Sequence, residues 1–221
     1  MKRHYLYPLL ALFTIGCASS VPNKDEIKSV DSGHYFLKSQ LDDDMVGMSW
    51  IMKDCISYHF SQVKFNSVDV KSSGVDKRVS KEVKAQFKEQ VLIKIDERLK
   101  YKLPSYSNVT LENEVLDISV MLYGIEDIPE DIRITEFTPV GAIIGVIKYV
   151  AGTRDRSIHM LASVDLKDHD SSKLIGRRIF VLNDNGVLEN EKSDITIEML
   201  DKNIEQITQQ VVNFAIELLP N

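Results

Sequence analysis

The most specific chemistry in the chain belongs to the thiol of Cys17, which follows Gly16 at the end of an apolar run. That thiol can take a diacylglycerol thioether, a modification open to no other side chain. The remaining reactive groups are scattered. There is no Gly-x-Ser-x-Gly elbow, no His-Glu-x-x-His pair, no Gly-rich loop ending in Lys-Ser or Lys-Thr, and no dinucleotide fingerprint. The histidines are His4, His34, His59, His159 and His169, none at ligand spacing from another. Asp165, Asp168 and Asp170 offer hard oxygens for calcium, yet the glycine and distal glutamate of a calcium loop are missing, so a solvated hairpin tip is the expectation. Asp184-Asn185-Gly186 reads as a turn in the same way. Glu126, Asp127, Glu130 and Asp131 surround Pro129 as a solvated acidic loop, with no partner group for general acid–base work. This inventory points away from an enzyme and implies no cofactor and no metal.

Cys17 is positioned by what precedes it. Lys2 and Arg3 form a charged start, Leu6 to Ile15 an apolar segment, and Gly16 the small residue before a processing site. The segment is too short for a membrane-spanning helix, which needs about 20 apolar residues. An ordinary cleaved signal would also fit its length, but a cysteine directly after Gly16 favours lipidation, and the arrangement resembles a bacterial lipoprotein signal. The expected division is residues 1–16 as signal peptide, 17–32 as lipidated cysteine and flexible tether, and 33–221 as one domain. Each buried CH₂ contributes about 0.8 kcal/mol, so the several chains, palmitate among them, expected on Cys17 would anchor the protein stably. In the lipoproteins of Gram-negative cells that this signal resembles, Asp after the cysteine is the typical inner-membrane retention signal; with Ala18 there, the resemblance implies export to the outer membrane with the domain facing the periplasm.

Charge and cysteine usage narrow the partners. Without residues 1–16 the chain keeps 25 basic and 33 acidic residues, a balance of −8. That argues against nucleic acid and against a polybasic grip on anionic lipids. Once Cys17 is acylated Cys55 is the one free cysteine, so no intramolecular disulfide is available, and a small buried hydrophobe is its expected role.

Periodicity supplies the scaffold. Ala18 to Ser32 is polar and reads as tether. Val63, Phe65, Val68 and Val70 mark a strand whose alternation slips once, as a bulge would make it. Ser80 can cap a helix carrying Val83, Phe87, Val91, Ile95, Leu99 and Leu103 at helical spacing, stopped by Pro104. Leu116 to Tyr123 alternates, as does Ile158 to Leu166, and Asp168 to Ser172 should turn the latter into an antiparallel strand over Leu174 to Leu182 that ends at Asn183-Asp184-Asn185-Gly186. Ile197, Leu200, Ile204, Ile207, Val211, Phe214 and Leu218 form a 3,4,3,4 stripe for a last helix lying on the sheet, with a coiled-coil seam as the alternative. The expected fold is α+β, a two-layer sandwich of about four mainly antiparallel strands with two long helices on one face.

One apolar segment stands apart. Val140, Gly141, Ile144, Gly145 and Val146, followed by Tyr149, place two glycines at Gly-x-x-x-Gly spacing in a run too short to span a bilayer. It reads as a buried connection between strands or as a flap facing a membrane or partner, and is the candidate interaction segment.

The order of these features is similar to a proteobacterial outer-membrane lipoprotein family known as domain of unknown function three-three-one-three. The resemblance is carried by Cys17, Gly33-His34-Tyr35-Phe36-Leu37, Lys64 to Val70, Glu126 to Gly152 with Thr138-Pro139-Val140-Gly141, and Ala162-Ser163-Val164-Asp165 with its hairpin. That family has no established catalytic residues, so the resemblance implies none here. It implies a non-catalytic, lipid-anchored envelope lipoprotein that binds an unknown envelope protein, with a lipid or small-ligand binder as the alternative.

Overall fold

The computed structural model describes residues 21–42, 45–53, 60, 62–71, 79–103, 115–129, 156–188 and 194–219, with backbone alone at 124–129, 156 and 185–188. In chain order these form α1 (Lys24–Val30), β1 (Leu37–Gln40), β2 (Val46–Ile51), β3 (Gln62–Val70), α2 (Lys81–Lys102), β4 (Val115–Pro129), β5 (Arg156–Asp168), β6 (Leu174–Leu188) and α3 (Asp201–Ile216), the last entered through a 3₁₀ turn at Glu198–Leu200. The strands make one sheet in the order β1-β2-β6-β5-β4-β3. All neighbours are antiparallel except β3 and β4, which run parallel because α2 carries the chain back between them.

Local sequence explains most of this. Ser80 accepts a hydrogen bond from the Val83 amide at 3.1 Å and opens α2, whose last turn carries Lys100 and Lys102 against the negative end of the helix dipole. Phe87, Val91, Ile95 and Leu99 are buried along one side of it. The slip in β3 is a bulge between Phe65 and Ser67, which returns Val68 and Val70 to the apolar side. In the β5–β6 hairpin, Ser172 takes a positive φ of 55° and the Asp168 carboxylate accepts from the Ser171 amide at 2.8 Å.

The two faces of the sheet differ. Leu116, Ile118, Val120 and Leu122 of β4, Ile158, Met160, Ala162, Val164 and Leu166 of β5, and Phe180 and Leu182 of β6 join α2 and α3 in the main core. Ile204, Ile207, Val211 and Phe214 are wholly buried there, so the apolar stripe of the last helix lies on the sheet. The opposite face holds a smaller cluster, Phe36, Leu161, Ile179 and Val181, against which Ile27 and Val30 of α1 pack. Gly47 is required by packing: a Cβ there would stand 2.6 Å from the Leu41 side chain folded over β2.

The α+β expectation holds, but among the described residues the sheet has six strands rather than about four and carries a third helix. The two unforeseen strands lack apolar alternation: β1 is the mostly exposed edge Leu-Lys-Ser-Gln, and in β2 Gly47 and Ser49 occupy the inward positions. Part of the stretch read as tether is helical: Asn23 and Glu26 form a reciprocal capping box that starts α1. β6 does not end at Asn183; pairing with β5 continues to Leu188 opposite Arg156, and the ladder outweighs the local turn preference. Glu126 and Asp127 likewise lie in β4, paired with His159 and Ile158, rather than in a loop.

Candidate functional site

Polar side chains concentrate at two places. The first is the small-cluster face of the sheet. Arg177 of β6 donates from Nε to Asp165 Oδ1 at 2.6 Å and from Nη2 to the other oxygen of the same carboxylate, across the β5–β6 pair. Its Nη1 donates to Asp31 Oδ2 at 2.7 Å, just beyond the end of α1. Asp31 Oδ1 accepts from the amides of Gly33 and His34, and His34 Nδ1 lies 2.8 Å from Oδ2. The His34 ring rests on Trp50 with centroids 3.9 Å apart. Burial alone would raise the Asp31 carboxyl, but the His34 side chain, the two amides and the His34 charge together hold it below the usual carboxylate range. The Asp165 hydrogen bond, opposed by burial and helped by both carboxylate charges, raises Arg177 above its ordinary value. At the other end of α1, Glu26 accepts from the Asn23 amide at 2.6 Å and stands 3.1 Å from His159 Nε2, whose Nδ1 meets Asn183 at 2.7 Å. These groups saturate one another, and their physical effect is to fasten α1 to the sheet.

The second concentration lies on α3. Asn203, Gln206, Gln210 and Asn213 recur at 3,4,3 spacing, a stripe of amides beside the apolar one. Asn203 is fully buried and Gln210 is 1 % exposed. Both side-chain atoms of Asn203 and the Oε1 atoms of Gln206 and Gln210 are buried with no hydrogen-bond partner. The lower part of the stripe faces a cavity of about 300 Å³, closed on its apolar side by Leu41 and Met45 of the β1–β2 hairpin and bordered by Asp42 and Glu205. Glu205 also pairs with Arg98 of α2, and Gln209 donates to Asn213 Oδ1 at 2.7 Å. Past the end of the helix, buried Arg178 stacks on Phe214, with its guanidinium carbon 4.2 Å from the ring centroid, and donates to Ser49 and to both oxygens of Glu217.

The structure brings the sequence-derived candidates together only in part. Cys17, Cys55, His59, Glu130, Asp131 and the whole segment Val140, Gly141, Ile144, Gly145, Val146 and Tyr149 lie outside the described residues. Asp165 turns to Arg177, Asp168 caps its own hairpin, and neither converges with Asp170 on a common point. His169 is tied to Asp117 at 2.9 Å and fixes the hairpin tip to β4. The amide stripe went unread because it shares a helix with a stronger apolar signal, although its spacing is visible in the sequence.

No protein-family profile and no curated protein matches the chain. Among solved structures, a candidate neuraminyllactose-binding hemagglutinin homologue from Helicobacter pylori is similar over 75 % of this chain and 87 % of its own, at 10 % identity and a TM-score of 0.40. A PelC dodecamer subunit from Paraburkholderia phytofirmans is similar over 79 % of this chain and 98 % of its own, at 6 % identity and a TM-score of 0.35.

Proposed function

We propose that this protein is a non-catalytic lipoprotein, anchored through Cys17 to the outer membrane on its periplasmic side, that binds another envelope component as part of a larger assembly. The observation that supports this is the N-terminal order of Lys2-Arg3, the apolar Leu6 to Ile15, Gly16 and Cys17. It is the order expected of the family of unknown function that the chain resembles. Among the described residues no helix is long and apolar enough to cross a membrane.

The docked helix refines the geometry of such an anchor. Only five residues, six Cα-to-Cα steps, separate Cys17 from Asn23, where α1 begins. At 3.3–3.6 Å per extended residue those six steps reach about 20 Å. The domain would therefore sit close against the lipid surface, with α1 as its nearest described element, rather than stand off on a long tether.

The test is Cys17→Ser in the full chain. We expect retention of the unprocessed precursor, loss of labelled palmitate incorporation and departure from the outer-membrane fraction. Normal processing with unchanged flotation would overturn the reading. Crosslinking the wild type in intact envelopes before capture would then identify the bound component.

A further inference from the structure

We infer, on the basis of the proposed Cys17 anchor, that Tyr35 and Leu37 form a patch that docks on the surface of a phospholipid bilayer and seats the β1 edge of the sheet against the membrane. Tyr35 is 81 % exposed and Leu37 63 %, although both belong to a segment held tightly by its surroundings. Asp31 Oδ1 accepts from the Gly33 and His34 amides, the His34 ring lies on Trp50, Phe36 is buried in the small cluster, and Leu37 pairs with Ser49 of β2. With Phe36 turned in, its two neighbours are turned out, at the outermost strand of the sheet. Two apolar side chains are thus presented to water in a fixed shape, so a partner that covers them has no loop to order.

The size and the place of the patch select the partner. A free protein needs about 1,000 Å² of buried surface for a specific interface, far more than two side chains offer. A bilayer held beside the patch needs much less, because a tether turns docking into an intramolecular step. α1 is about 10 Å long, its C-cap Asp31 is fastened to Arg177 of the sheet, and Tyr35 follows four residues later. The patch therefore keeps a short, fixed distance from the point where the anchor enters the domain. A tyrosine ring with its hydroxyl, a leucine, and the exposed Lys38 beside them suit the headgroup boundary, where amphipathic rings and snorkelling lysines settle. The one carboxylate between residues 31 and 38, that of Asp31, is already met by Arg177 and His34 and does not oppose the approach.

Reporter fluorescence tests this on the full chain with its lipid, purified from membranes and reconstituted in vesicles of phosphatidylethanolamine and phosphatidylglycerol brominated on their acyl chains. Trp50 is the single tryptophan, so Trp50→Phe gives a dark background, with Trp50→Tyr in its place if that variant does not fold. In that background Tyr35→Trp should be quenched at least twofold and shift to the blue. Tyr101→Trp, comparably exposed near the end of α2, should be unchanged. Adding Leu37→Ser should relieve the quenching of the Tyr35→Trp reporter, while flotation with the vesicles, which reads the anchor alone, stays complete. A chain that floats with its Tyr35→Trp reporter unquenched, or with both reporters quenched equally, would overturn the patch and leave the anchor standing. An unquenched reporter in a chain that light scattering finds dimeric would assign the patch to a second copy instead. A chain that does not float would overturn the Cys17 anchor and the docking patch together.

Discussion

On the face that carries α2 and α3, the sheet presents Leu116, Ile118, Val164 and Phe180 to two long helices, whereas on the other face Arg177 and His159, the latter bonded in turn to Asn183, hold a seven-residue helix through polar contacts. The first contact is apolar, spread over many side chains and insensitive to pH. The second depends on a few directed contacts around Asp31 and Glu26. A helix as short as α1 is marginal alone. Its place is therefore set by geometry at two points, with Ile27 and Val30 adding a small apolar contact. The two faces should fail differently: damage to the first should unfold the domain, and damage to the second should release α1 from a sheet that stays folded.

The largest effect is expected on the helix face. Ile207 is wholly buried at the centre of the α3 stripe, and burying an unpaired carboxylate there has no compensating partner. Ile207→Asp should yield no soluble folded protein. Should the variant fold normally but lose an oligomer, the stripe would be a partner seam instead. Arg178→Ala is next. The Glu217 carboxylate it leaves is 46 % exposed and rehydrates, so no buried charge is stranded, and the cost is that of the lost charged hydrogen bonds, about 1.5–3 kcal/mol, with the packing on Phe214 added. A shift in the urea midpoint without a change in slope would check it; no shift would mean that the Phe214 stacking and the Ser49 bond contribute nothing net.

The same contrast governs what could be read from sequence. α2, β4, β5, β6 and the last helix were legible because burial on one face imposes a period, and Phe87-Val91-Ile95-Leu99 or Leu116-Ile118-Val120-Leu122 show it directly. β1 and β2 were not, since β1 is a mostly exposed edge, and in β2 Gly47 is small beside Leu41 and Ser49 is polar to meet Arg178. α1 reads as tether in the sequence because its fastenings are remote: Asp31 meets Arg177 146 residues away and Glu26 meets His159 133 away. Local composition carries no trace of such pairs. The α3 cavity shows the same limit, since the spacing of Asn203, Gln206, Gln210 and Asn213 is plain while the hairpin that closes over them is set by tertiary contact.

On the charged face, Asp31→Asn should have an intermediate effect, because hydrogen bonds to charged groups contribute about 1.5–3 kcal/mol. The pH dependence has a definite sign. Asp31 is held below its ordinary carboxyl pKa in the folded state, so its contribution is fully present above the unfolded value of about 3.9 and is lost as pH falls through the folded one. Wild type and variant should therefore differ at pH 7 and converge well below pH 4. A constant difference across that range would show that Asp31 acts by packing rather than by charge.

The smallest effect belongs to the start of α1. The Asn23 side chain accepts from the amides of Asp25 at 2.9 Å and Glu26 at 3.0 Å, and losing such a cap costs about 0.5–2 kcal/mol. In Asn23→Ala the first turn loses those acceptors. The Glu26 carboxylate, which also meets His159, loses the reciprocal half of the box that orients it. The cost should fall on docking and hardly on the core, since no residue of α1 belongs to the main cluster. Amide exchange should quicken in Ile27 and Asp31, whose N–H groups bond to Asn23 and Ile27 carbonyls, while protection in α2 and β5 stays as in wild type. Faster exchange throughout the sheet would mean that α1 is part of the cooperative unit, and the distinction between an apolar face that folds the domain and a charged face that only holds its N-terminus would fail.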